Sequence, residues 1–285
     1  MKKQLINLFT PAAVLLAGWS SVAQAQTLLT EWNFNQSAGT TLAGISSDAG
    51  TQSSTWGALV NTDGTTSWRT TGTGDLRLSG NNANAGTIVQ SVASLSGINA
   101  TLGEPVRFEW NLSWSFPTRP SLDQETYLIL RDGGGSNRLR WTVSRPSGDA
   151  AIDPPLLRLN LDGFGFTAVN NLTPSNGGIT LNPAGGSLLL RTDITFGATG
   201  VTGVEASYSY DSGPFQNVNL GSFTPYGVAN LNDIRLHSKG PLNSTNYLDI
   251  SSISVSTVPE PGTWALLALS GVGMGILAMR RRSPR

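Results

Sequence analysis

Any chemistry in this chain of 285 residues has to be done with one histidine, His237, and no cysteine. That composition excludes disulfides, thiolate metal sites and a cysteine nucleophile. A zinc site would need an unusual, carboxylate-rich ligand set. A Ser-His-Asp triad would have to use His237, and no G-x-S-x-G frames a partner serine. In Asn232-Asp-Ile-Arg-Leu-His237 the alternation puts Ile234 and Leu236 on one face and His237 on the opposite, polar one. The expectation is a solvent-facing strand histidine, not a general base.

Paired carboxylates offer another route, because glycoside hydrolysis uses two of them about the scissile bond. Asp123-Gln-Glu125 sets two at i, i+2 beside a strand, with Glu104 and Glu109 near in sequence. The competing reading is that they solvate an outer sheet face and pair with Arg119 or Arg107. Hard cations take carboxylate, amide and carbonyl oxygens, which Asp132–Asn137 and Asn160-Leu-Asp162-Gly163 would offer to calcium. Neither loop follows the EF-hand or the nonapeptide pattern, and both read more readily as turns. The residues predict no catalytic group, no cofactor or metal beyond that calcium candidate, and a protein that is not an enzyme.

Sugar contact depends instead on spare aromatics. Trp32, Trp110, Trp114 and Trp141 fall in alternating strands and belong to a core. Trp56 and Trp68 lie in Thr/Ser/Gly-rich sequence, Ser53-Ser-Thr-Trp56-Gly and Thr65-Thr-Ser-Trp68-Arg-Thr. An exposed indole stacks on a sugar ring, and Arg69 would hydrogen-bond its hydroxyls. The alternative is that each indole caps an open end of the fold.

The elements that must position these residues have a period of two. In Val106–Phe116, Val106, Phe108, Trp110, Leu112, Trp114 and Phe116 share one face, with Arg107, Glu109, Asn111, Ser113 and Ser115 on the other. Leu28, Trp32 and Phe34 repeat the device, as do Leu139-x-Trp141-x-Val143 and Leu157-x-Leu159-x-Leu161. Ser187–Phe196 turns Leu188, Leu190, Ile194 and Phe196 inward, Val204–Tyr210 groups Val204, Ala206, Tyr208 and Tyr210, and Tyr247–Val255 is the last strand. Asp132-Gly-Gly-Gly-Ser-Asn137, Asn176-Gly-Gly178, Asp211-Ser-Gly-Pro214 and Lys239-Gly-Pro241 punctuate them. One-sided strands joined by turns must cover each other's apolar faces. The expected fold is all-β, an antiparallel two-sheet sandwich of jelly-roll, lectin-like type.

Both ends differ from this body. Met1–Ala25 has a basic start at Lys2 and Lys3, an apolar middle at Pro11–Gly18, and Ala23-Gln24-Ala25 as an A-x-A cleavage site, so it reads as a signal peptide for the Sec translocon. At the other end Val258-Pro259-Glu260-Pro261 precedes an uncharged run, Trp264–Met279, and then Arg280-Arg281-Arg282. As a helix of about 262–279 this run would be short for a bilayer, and Gly271, Gly273 and Gly275 weaken it. The arginines would act as a membrane stop on the cytoplasmic side. The two prolines keep the junction extended and open to a processing enzyme.

This order of motif, span and basic end resembles the PEP-CTERM sorting signal of Gram-negative bacteria. The resemblance implies an exosortase, a membrane-embedded cysteine-type transpeptidase, as partner, and delivery to the cell surface or the exopolysaccharide matrix. The expected domains are the signal peptide at 1–25, the sandwich at 26–257 and the sorting signal at 258–285.

Without the two leader lysines, the four tail arginines and Glu260, the body has twelve basic and seventeen acidic residues, a net charge of about −5. An acidic body without basic clusters speaks against nucleic acid. The body is similar to concanavalin-like lectin and glucanase sandwiches. The glucanases carry Glu-x-Asp-x-x-Glu on a strand, which this chain lacks. The expectation is a non-catalytic structural, adhesive or carbohydrate-binding sandwich, with a glycoside hydrolase or lyase of the same fold as the alternative.

Overall fold

The computed structural model describes residues 26–61, 67–79, 88–116, 124–145, 157–166, 168, 181–182, 184–239 and 247–258. The expected signal peptide with Ala23 and Ala25, Pro259–Arg285 with the expected span and its arginines, Arg119, Asp123 and the expected Asn176–Gly178 turn lie outside these residues. Among the described residues no helix is long and apolar enough to cross a membrane.

The strands of the first half are β1 (Leu28–Trp32), β2 (Val60–Asn61), β3 (Ser67–Thr70), β4 (Leu76–Ser79), β5 (Ile88–Asn99), β6 (Val106–Ser115) and β7 (Gln124–Asp132). Those of the second are β8 (Asn137–Arg145), β9 (Arg158–Gly163), β10 (Gly186–Gly197), β11 (Gly200–Tyr210), β12 (Gln216–Asn217), β13 (Asn230–Lys239) and β14 (Tyr247–Thr257). Sheet one runs β12-β11-β10-β6-β14-β4-β3, with β1 also on β14; sheet two runs β2-β5-β13-β7-β8-β9. Every pairing is antiparallel.

The alternation of β6 is complete, buried and half-buried by turns along all ten residues. It lies between β10 and β14, so Phe108, Trp110 and Leu112 form the centre of the sheet-one inner face. Facing them from sheet two are Leu128 and Leu130 of β7, Trp141 of β8 and Ile234 and Leu236 of β13, all at most 2% exposed. Trp141 donates its indole N–H to Thr192 Oγ1 of β10 at 2.9 Å, joining the two sheets inside the core.

Three departures from simple alternation have physical reasons. A bulge between Leu28 and Thr30 shifts the register of β1 on β14, so Leu29 is buried and Leu28 is not. Phe34 reaches the core from beyond the end of that strand through a left-handed backbone, φ 53°. A second bulge, between Thr195 and Phe196, leaves Phe196 only partly buried against the core. Strand β5 carries a weak apolar signal because its inward positions include Ser91 and Ala93 beside Val89 and Leu95.

Candidate functional site

The outer face of sheet one is laced by charge. Antiparallel register sets Arg107 opposite Asp193 and Glu109 opposite Arg191 across β6 and β10. Arg107 donates from Nε and Nη2 to both oxygens of Asp193 at 2.7 and 2.6 Å, and that bond raises the arginine's pKa. Arg191 donates to Glu109 Oε1 at 2.8 Å. Glu109 and Arg107 therefore do not pair with each other, as neighbours in sequence would, but each with its cross-strand partner.

At the edge of this floor the chain after β11 folds back and pairs with it as β12. Asp211 and Ser212 take left-handed backbone, φ 46° and 60°, and the Gly213 N–H closes the turn on the Tyr210 carbonyl at 2.8 Å. The returning segment hydrogen-bonds beside β11, with Val218 N–H to the Ala206 carbonyl at 2.8 Å. Between segment and sheet lies a groove of about 490 Å³, floored by Arg107, Arg191, Asp193 and Glu205 and walled by Phe215 and Asn217. The Phe215 ring is 40% exposed and stacks on the Arg191 guanidinium, 3.7 Å from its centroid. This arrangement offers an aromatic edge, amides and ordered charges in one open trough. Nothing in the local sequence announces it, because it needs the hairpin and three strands in register.

The expected sugar contacts lie elsewhere and are closed. Trp56 is 1% and Trp68 0% exposed, so neither indole has a face to offer a sugar. Trp56 packs 5.5 Å from Trp32 and bridges to Ala93 of β5, while Trp68 is a β3 residue paired with Leu78. Arg69 is held by Ser67 Oγ and the Gly39 carbonyl at 2.8 Å each. Trp68 lies in strand β3, and the Ser/Thr-rich segment around Trp56 bridges to β1, β3 and β5.

The calcium candidates are turn and strand residues. Asp132 accepts from the Gly134 and Ser136 amides at 3.0 and 2.9 Å and from Arg138. Burial pushes its carboxyl up, but Arg138 and the amides outweigh burial and hold it below the usual range. Asp162 accepts from Arg140. Among the described residues no group of three acidic or imidazole side chains is gathered as a metal would need. Glu125 accepts from the Tyr127 hydroxyl. His237 is on the outer face of sheet two, half-buried and edge-on to Tyr127 at 5.0 Å. Its pKa is lowered by burial and then by Arg235 and Arg140.

The described fold ends at Val258, whose N–H donates to the Pro105 carbonyl at 2.7 Å. The sequence then runs directly into Pro259-Glu260-Pro261, the apolar stretch and the arginines. The tail is a PEP-CTERM protein-sorting motif, matched over residues 257–282. The PEP-CTERM match thus begins inside β14, at its last residue. Such a motif implies export, sorting at a membrane and processing by an exosortase in general. No curated protein matches the chain.

The sandwich is similar to an endo-1,3-β-glucanase from Streptomyces sioyaensis, at 11% identity and TM-score 0.48, over 83% of this chain and 98% of that one. It is similar to the alginate lyase Aly36B at 10% identity and TM-score 0.48, over 82% and 100% of the two chains. A third likeness is to lectin I-B4 of Griffonia simplicifolia, at 9% identity and TM-score 0.40, over 70% and 93%. These are likenesses of architecture alone.

Proposed function

We propose that the sandwich is the working part of an exported protein that serves, non-catalytically, as a glycan-contacting or structural domain at the cell surface or in the exopolysaccharide matrix. In this reading the Sec translocon exports the chain, cleavage follows Ala25, and Arg280–Arg282 hold the tail on the cytoplasmic side. An exosortase then processes the Val258–Pro261 junction.

The groove beneath Phe215 is the observation that carries glycan contact, since it joins a stacking ring to amide and charged hydrogen-bonding groups. The same floor supports binding over catalysis. Both oxygens of Asp193 receive the Arg107 fork and one oxygen of Glu109 receives Arg191, so these carboxylates serve as members of structural ion pairs. A carbohydrate-active enzyme is the second reading, favoured by Asp193 and Glu205 standing directly opposite each other on β10 and β11.

The full chain in detergent, applied to an array of neutral and acidic glycans, tests the proposal. Binding should fall about tenfold in Phe215→Ala with an unchanged urea midpoint, and no reducing ends should be released from any bound glycan. Equal binding by the variant would remove the groove from the reading, and release of reducing ends would establish the enzyme.

A further inference from the structure

Six arginines on the two outer faces come in ion pairs. Arg77, Arg107, Arg131, Arg138, Arg140 and Arg191 each meet a carboxylate of a neighbouring strand or turn. Arg235, in the middle of sheet two, does not. Its cross-strand neighbours are Val92 of β5 and Ile129 of β7, which have no side-chain acceptor. Its Nε is buried and makes no hydrogen bond. The carboxylate two residues back, Asp233, is already held by Arg131 at 2.5 and 2.8 Å. Burial, with Arg131 close by, lowers the Arg235 pKa, as expected of a cation short of counter-charge.

The row beside Arg235 is aromatic and polar. Gln90, His237 and Tyr127 stand opposite one another on β5, β13 and β7. Beyond Ile129 in the Arg235 row comes Arg140, whose guanidinium lies 5.2 Å from the Tyr127 ring centroid. Lys239, exposed, continues the line of β13 outward. On this one face Arg131, Arg138 and Arg140 are matched by Asp233, Asp132 and Asp162, and Glu125 stands opposite Lys239, while Arg158 and Arg235 add positive charge to a body that is acidic as a whole.

We propose that this face binds an acidic polysaccharide, the sugar's carboxylate in the fork of Arg235, its ring against His237 and Tyr127, and the Gln90 amide on its hydroxyls. The guanidinium fork matches a planar carboxylate with two parallel hydrogen bonds. Imidazole, phenol and amide are groups for sugar hydroxyls and ring faces, whereas a nucleic acid needs several phosphate contacts and meets repulsion from the rest of the body. The site is separate from the Phe215 groove, which lies on the other sheet, and it stands whether or not that groove binds.

Affinity electrophoresis of the full chain in detergent, with EDTA present, tests it. Gels would contain polygalacturonate, dextran sulfate, neutral dextran or duplex DNA. Polygalacturonate should retard the protein more than the other three, and added salt should weaken the retardation. Arg235→Gln should reduce it about tenfold or more, and Arg235→Lys by less. Undiminished retardation of Arg235→Gln with an unchanged urea midpoint would overturn the proposal. So would equal retardation by dextran sulfate and DNA, the mark of plain charge attraction. If Arg235→Gln does not fold, Arg235→Lys decides, since a charge without a fork must bind more weakly than the native residue.

Discussion

Trp141 and Thr192 make one of the hydrogen bonds that join the sheets, and it is buried at both ends. Other core indoles, those of Trp32, Trp56, Trp68 and Trp110, have N–H groups without a partner, so this bond is a specific link and not a general habit of the core. Thr192→Val keeps the shape and orphans the indole N–H. It should lower unfolding free energy by about 1–3 kcal/mol, read from urea denaturation. His237 gives a pH dependence. Tyr127 and Glu125 face it from β7, Arg140 from β8, Gln90 from β5, and Arg235 and Lys239 flank it on its own strand. Burial and the neighbouring arginines keep the folded imidazole neutral below its ordinary pKa, while the unfolded one protonates near pH 6.5. The unfolded chain therefore binds the extra proton as pH falls, and stability drops from pH 7 toward pH 5. His237→Gln should flatten that slope in urea midpoints taken at the two pH values. Its outer-face position was legible from the Ile234–Leu236 alternation, but the ring's burial was not, because Tyr127 becomes its neighbour only through strand register.

At the level of strands, the long one-sided runs were readable and the irregular ones were not. Val106–Phe116 and Leu157–Leu161 alternate in sequence as they do in space, since the β6–β10 and β8–β9 registers run without a shift and the bulge beside β6 lies in β14. The bulge in β1 turns Leu29 inward where alternation selects Leu28. A bulge depends on the partner strand, and no local pattern encodes it. The arginine pairs follow the same logic: Arg107 finds Asp193, 86 residues away, through the β6–β10 register. Trp56 and Trp68 mislead because their neighbours have loop composition, while Trp68 sits in strand β3 and the segment around Trp56 bridges to β1, β3 and β5. Part of that segment, Asp48–Gln52, runs along β1 and takes hydrogen bonds from it and to it. There Gly50 has φ 115°, and a Cβ would lie 2.3 Å from the Leu29 carbonyl oxygen. Gly50→Ala should lower stability by roughly 1–3 kcal/mol, with a reduced thermal midpoint as the readout. An unchanged midpoint would mean that the segment can lift from β1 at little cost.

For the whole molecule, Thr27–Val258 forms one compact unit whose first and last strands pair. Thr257 N–H donates to the Thr27 carbonyl at 2.9 Å, so both ends of the unit leave from the same place. Replacing Pro259-Glu260-Pro261 by three alanines touches neither strand. Export should proceed and the sandwich should fold, but the full-length form should accumulate in membranes, as seen by immunoblot of fractionated cells. Normal release of that variant would sink the exosortase reading. The position of the motif also has a mechanical side. Strand β14 is bonded along its length to β6 and on its other edge to β1 and β4, and the sorting tail is attached at its end. A pull through the tail along the strand axis loads the Tyr247–Thr257 ladder in shear, with its rungs sharing the force. Tethered by that strand, the domain would yield as a block under drag and would not unzip strand by strand.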